Sequence, residues 1–457
     1  MNPRLFAPAL LATGMVATAC VAPVIARPAQ QSDEMQDSAV YAIEGGKVFT
    51  LAGAPIENAT VLIRGGKVAE VGASVSVPSD AHVVDAKGLE VYPGLFDPIT
   101  QMGLNEVSAV SATQDVTELG DYNPELVAAT AINPSSAHID VTRAAGITHV
   151  VSTPGVTGFA GFGGGGGVIT GQATAINLSG WTIHDMSIEK SVAMIVKWPT
   201  LEGRTFDLAT LSLKERPYTE VKEEYDRKVD DLSDLLERAR HYTQAVEKGS
   251  PDNFERDIKL EALAPVIQGK LPLLVVAHSA RDIRNAVDFF TARNLKMILA
   301  GGDQAWREKE LLKQKGIPVI LGPAMRLPDE EDFPYDKPMT QPSELYAAGI
   351  PIAFASFDTS FSRRLSQQAG NAVAYGLPYE EGLKAVTVNA AKMLGLADRL
   401  GTIEPGKMAN IIVTNGDPLE IRTTVRYLFI AGRPTSLENK HLELYEEYSK
   451  RPKHTTP

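Results

Sequence analysis

The chain has one cysteine, Cys20, in 457 residues, so no intrachain disulfide can form and the fold must rest on its core. Histidine is also scarce, at 8, so each one can be weighed individually as a metal ligand or proton carrier. Positive charge is short. The 44 Lys and Arg face 56 Asp and Glu, and the net charge of −12 gives no basic footprint for a nucleic acid. That acidic balance is read as solubility. No segment after the N-terminal stretch is apolar enough to cross a bilayer as a helix.

What is present fits a globular protein of more than one part. Hydrophobic residues are 44% and charged residues 22%, and the length suffices for a full-size barrel plus a second domain. Residues 1–26 read as a signal peptide, with Arg4, an apolar run from Leu5 to Val16, and then small residues. Two cleavage points compete. Ala17-Thr18-Ala19 before Cys20 resembles a bacterial lipoprotein processing site, and Val24 and Ala26 suit cleavage after Ala26. The expectation is an exported protein, periplasmic or lipid-anchored through Cys20. Residues 27–39 are polar and read as a disordered leader.

From Tyr41 the pattern is that of short strands broken by glycine turns, including Tyr41–Ile43, Lys47–Leu51, Thr60–Arg64 and Lys67–Val71. Strand-like runs return at Ile411–Thr414 and Val425–Ile430. Between these ends, residues 93–398 alternate strand-like and helix-like runs, which predicts a parallel α/β barrel. Residues 219–248 read as a long helix with a solvated charged face. Residues 436–457 read as a C-terminal tail.

Val91-Tyr92-Pro93-Gly94-Leu95-Phe96-Asp97-Pro98-Ile99-Thr100-Gln101 resembles the opening barrel strand of the amidohydrolase superfamily, usually Pro-Gly-Leu-Ile-Asp-x-His-x-His. Gly146–Val151 resembles its second strand, Leu271–Ile283 its fifth, Met297–Trp306 its sixth, Gly316–Pro323 its seventh and Gly349–Thr359 its eighth. Gly401-Thr402-Ile403-Glu404-Pro405-Gly406-Lys407 matches a closing motif of the family. The resemblance covers about residues 40–435 and points to a secreted, imidazolonepropionase-like or prolidase-like branch. It implies a (β/α)8 TIM barrel over 93–398 and a small β-sandwich built from both chain ends, 40–92 and 399–435.

The resemblance also implies metal-assisted hydrolysis of non-peptide carbon–nitrogen bonds, as in amides or cyclic amides, with zinc or another divalent ion as the norm. Here the positions of the usual ligands hold Ile99, Gln101, Val276 and Gly301, so no resident metal is expected. Hydrocarbon, a bare backbone and a neutral amide do not make a zinc site. His278 and Asp358 are kept and are the expected catalytic pair, able in principle to exchange protons without metal. His149, inside a strand, reads as a hydrogen-bonded structural residue. Lys197 stands where a carboxylated lysine ligand is conceivable, a role the reading does not favour. The stretch from Pro154 to Gln172, with Gly163, Gly164 and Gly165, reads as a loop near the barrel mouth that contacts substrate. Three functions stay open. They are a hydrolase with a remodelled site, a catalytically inactive paralogue that binds a ligand or partners an active subunit, and an extracytoplasmic binding or structural protein. The partners expected are a small amide-like ligand and a further copy or paralogue of the chain.

Overall fold

The structure, a computed structural model, describes residues 39–156, 167–201, 203–207, 212–249, 255–328 and 330–452. The stretch read as a signal peptide, with Cys20, and the glycines Gly163, Gly164 and Gly165 lie outside the described residues.

Strands from both chain ends are hydrogen-bonded into one eight-stranded sheet. It contains β1 (Tyr41–Val48), β2 (Ile56–Arg64), β3 (Lys67–Gly72), β4 (His82–Asp85), β5 (Glu90–Pro93), and then β16 (Ile411–Thr414), β17 (Val425–Ile430) and β18 (Arg433–Pro434). The join is the antiparallel pair β5–β16, with Ile411 opposite Pro93 and Val413 opposite Val91. The sheet forks at β1, whose first half pairs with β4 and whose second half pairs with β5. Alternate residues from the two ends, among them Ile43, Val61, Val91, Ile411 and Phe429, share one core. That shared burial explains why two segments so distant in sequence form one unit.

The second sheet is a nearly closed barrel. Its order is β15-β14-β13-β12-β9-β8-β7-β6. The strands are β6 (Leu95–Thr100), β7 (Ile147–Ser152), β8 (Ile169–Asn177), β9 (Ser187–Lys197), β12 (Leu273–Ala277), β13 (Met297–Gly301), β14 (Val319–Leu321) and β15 (Ile352–Phe354). Seven of these run parallel, and β8 does not. It is antiparallel to both β7 and β9, which corrects the expectation of an all-parallel barrel. The physical reason is the connection. A parallel crossover needs a covering element, usually a helix, whereas β8 turns into β9 through one helical turn, Ile183–Met186. Between β9 and β12 lie the hairpin β10 (Arg204–Asp207) and β11 (Ser212–Glu215), the long helix α1 (Tyr218–Glu247), and α2 (Ile258–Ile267). α1 agrees with the helix expected at 219–248. It docks through Tyr225, whose ring meets Trp198 edge-on at 6.4 Å.

The lumen is filled. Side chains alternate along each strand, so Leu274, Ile298, Ala300, Ile320 and Ala353 point inward and pack with Phe96, Ile99 and Ile195. Their neighbours Leu273, Val275, Leu299, Val319 and Phe354 point outward, against the helices. The edge strands β6 and β15 are bridged by Phe357 N–H, which donates to the Ile99 carbonyl at 2.9 Å. They are also bridged by Asp97, described below. Gly94, entering β6, lies so close to Thr148 that a Cβ there would come within 2.1 Å of Thr148 Oγ1. Only glycine lets the chain pass from sheet to barrel at this point. The segment read as a tail contains the helix Lys440–Ser449, none of whose side chains is buried.

Candidate active site at the barrel mouth

The parallel strands all end at one mouth, where active sites of barrel folds are built. His278 follows β12 directly. Its Nδ1 lies 2.7 Å from Asp303 Oδ2, and the Asp303 side chain is 9% exposed while that of His278 is 43% exposed. Arg326 reaches the other carboxylate oxygen, with Nη2 2.8 Å from Asp303 Oδ1. Burial pushes the Asp303 carboxyl up, but the His278 ring and the Arg326 guanidinium outweigh it and hold the carboxyl below its ordinary range. The result is an anionic carboxylate fixed against a partly exposed imidazole.

Two glycines make this arrangement possible. Gly301 and Gly302, at the end of β13, have φ of +84° and +61°. A Cβ on Gly301 would come within 2.7 Å of His278 Cε1. The His278 ring therefore fills the space that a side chain at position 301 would need. The sequence reading singled out His278 but missed Asp303 and Arg326. The available signal was the Gly301-Gly302-Asp303 run, which puts an acid just past a strand end on a backbone that lets it turn inward.

Asp358 is differently engaged. Its Oδ1 accepts from Phe361 N–H at 2.9 Å, and its carbonyl oxygen accepts from Thr100 Oγ1 at 3.0 Å and from Ser356 Oγ at 2.7 Å. These contacts stitch the loop after β15 to the end of β6. The carboxylate that bonds His278 is Asp303, while Asp358 caps a turn.

The four positions implied as metal sites do not fit a metal. Ile99 is fully buried in the lumen core, and Val276 packs against it. Gln101 is buried, and its amide is spent: Nε2 donates to the Val156 carbonyl, and Oε1 accepts from Asn105 Nδ2 at 3.1 Å. Gly301 lies beneath the His278 ring. Among the described residues no three His, Cys, Asp or Glu side chains converge as a ligand set. Gln172 belongs to β8, and its side-chain amide donates to the Pro124 carbonyl at 2.8 Å and accepts from Ser191 Oγ.

Two further buried polar groups are titratable. Asp97, fully buried, accepts from Ser356 N–H at 3.1 Å and Ser362 Oγ at 2.7 Å. Burial raises its pKa to about 6 despite those bonds. His149, 1% exposed, stacks on Phe96 with centroids 4.4 Å apart. Asn410 Oδ1 accepts from Ala431 N–H at 2.7 Å, which turns Asn410 Nδ2 toward His149 Nδ1 at 3.3 Å. Thr148 Oγ1 also lies 2.7 Å from His149 Nδ1, and among the described residues Nε2 has no hydrogen-bond partner. Burial lowers the pKa of His149 to about 3. His149 is thus buried inside its strand and held by polar contacts with Thr148 and Asn410.

Residues 350–436 match the amidohydrolase family model. The chain is 25% identical over 378 residues to the amidohydrolase tasK of Hapsidospora irregularis, covering 78% of this chain but only 37% of that protein. It is 24% identical over 397 residues to the imidazolonepropionase of Caldanaerobacter subterraneus subsp. tengcongensis, covering 80% of this chain and 86% of that one. The crystal structure of an amidohydrolase from Thermotoga maritima superposes with a TM-score of 0.74 at 25% identity, over 87% of this chain and 99% of that one. With the nearly closed barrel and the family match over 350–436, these comparisons show a chain similar to the amidohydrolase superfamily in fold and along most of its length.

Proposed function

We propose that the protein is an exported hydrolase of non-peptide carbon–nitrogen bonds, acting on small amides or cyclic amides, whose barrel mouth works without a resident metal. The observation that carries this reading is the 2.7 Å contact between His278 and the buried Asp303. In it His278 accepts a proton from an attacking water as the water oxygen bonds to the amide carbon. The C–N bond then breaks, and His278 returns that proton to the leaving nitrogen, giving an acid and an amine. Asp303 keeps the imidazole in one tautomer and stabilises it when protonated, and Arg326 keeps Asp303 ionised. Relatives named for carbon–nitrogen chemistry, including imidazolonepropionase, support the bond class. We also propose a β-sandwich of 40–92 and 399–435 beside a barrel of 93–398.

The test is hydrolysis of a panel of amides, cyclic amides and dipeptides by the purified protein after chelator treatment and gel filtration. His278→Asn should lower kcat/KM by about 10²–10⁴-fold, with Asp303→Asn lowering it through kcat. Elemental analysis should find no stoichiometric zinc-class metal. One metal per chain, or activity indifferent to His278→Asn, would overturn the proposal. A folded protein inactive on the whole panel would favour the inactive, ligand-binding paralogue, a reading that the hydrocarbon at Ile99 and Val276 already favours over ordinary metal hydrolysis.

A further inference from the structure

Lys197 is the last residue of β9, at the mouth. Ile195 faces the lumen while Met194 and Val196 face the helices, so strand alternation turns Lys197 to the lumen side. The register sets it beside Val276, two residues before His278. Neighbouring strands lie about 4.8 Å apart and two residues advance about 6.6 Å, so an extended lysine reaches the space in front of the His278 ring.

The side chain is partly buried, yet among the described residues no carboxylate or other acceptor engages its ammonium. Burial lowers its pKa, and the charge of Lys228 lowers it further. The neighbouring acid is already committed. Glu224 binds Lys228 at 2.8 Å and Arg216 at 2.8 Å, and these two cations hold its carboxyl down to about 2. Lys228 and Arg216 thus share the Glu224 carboxylate, which leaves Lys197 beside the charge of Lys228 without that acid as a partner. Leaving an ammonium half out of water with no counter-charge is costly, and an anionic ligand oxygen would offset that cost.

We propose that Lys197 carries the carboxylate of a small anionic ligand held in the mouth, with the ligand's C–N bond in front of His278. The ligand class is an amide bearing a free carboxylate, of which N-acyl amino acids are the simplest. This rests on reading the mouth as the active site.

The experiment uses N-acetyl-L-alanine and its uncharged amide as probes. Reductive ¹³C-methylation gives each lysine an NMR signal, and Lys197→Arg identifies the one from Lys197. N-acetyl-L-alanine should move that signal and raise its pKa by about one unit, a roughly tenfold preference for the charged form. The uncharged amide should leave it in place. By calorimetry on unmodified protein, Lys197→Met should bind N-acetyl-L-alanine about tenfold more weakly, and Lys197→Arg should retain binding. No shift with N-acetyl-L-alanine, an equal shift with the amide, or unchanged affinity in Lys197→Met overturns the proposal. None of these readings needs turnover. A failed hydrolase assay and a failed anion site are therefore separate results.

Discussion

His149 and Asp97 are buried titratable residues with opposite pH linkage. The His149 pKa is lowered to about 3, so the unfolded chain takes up its proton first and this contribution to stability is lost as pH falls from about 6.5 towards 3. The Asp97 pKa is raised to about 6, so its contribution is fully present below about 4 and is lost as pH rises through 6. Between about pH 4 and 6 the two slopes oppose each other. Relative to wild type, Asp97→Asn should gain stability with rising pH, and His149→Gln should lose it, each by at most about 1.4 kcal/mol per pH unit. Urea unfolding of the three proteins at half-unit pH steps reads this directly. Parallel curves for wild type and both variants would falsify the assignment. At the same scale, Gly301→Ala should cost about 1–3 kcal/mol, because φ is +84° and the new methyl meets His278. In a His278→Ala background the steric part should disappear and the backbone part remain, which a double-mutant cycle separates.

At the level of elements, the weak point of the barrel is the closure between β6 and β15. Asp97 supplies acceptors there for Ser356 N–H and Ser362 O–H. Asp97→Ala should leave both donors buried without partners, at about 1–3 kcal/mol for each. Hydrogen exchange should then quicken first at the Ser356 and Phe357 amides, ahead of Leu274 and Leu299 in the middle of the sheet. Uniform quickening would mean that the closure is no weaker than the rest. The motif containing Asp97 was plain in the sequence, and so was the strand it opens. Its role was not, because a carboxylate near a metal site and a carboxylate bridging two strands look alike until Ser356 and Ser362 are seen to meet it. The antiparallel β8 was hidden for a related reason. A strand's apolar alternation does not carry its direction, and direction was decided by the short turn to β9.

For the molecule as a whole, export is the expectation with the most direct test. Fractionation should find the mature chain beginning at Cys20 or Arg27 in the periplasm or on a membrane facing it, and Cys20→Ser should abolish lipid labelling if the lipoprotein site is used. An intact Met1 start in the cytoplasm would overturn the expectation. The resemblance to the family, and the residues at the ligand positions it implies, could be read from the sequence, because motifs such as Pro93-Gly94-Leu95 and Gly349–Thr359 are local and side-chain chemistry is fixed by residue type. A valine at 276 or an isoleucine at 99 cannot bind zinc in any fold. The joining of the two ends through β5 and β16 was implied by resemblance, and the pairing of Val91 with Val413 gives it a physical basis. Only the tertiary structure decided which acid serves His278. Asp303 and Asp358 both follow barrel strands, and both are carboxylates near the same mouth. The left-handed turn at Gly301 and Gly302 brings Asp303 under the ring, whereas Asp358 is drawn to Phe361 N–H, and such choices depend on backbone direction and neighbours that no single stretch of sequence contains.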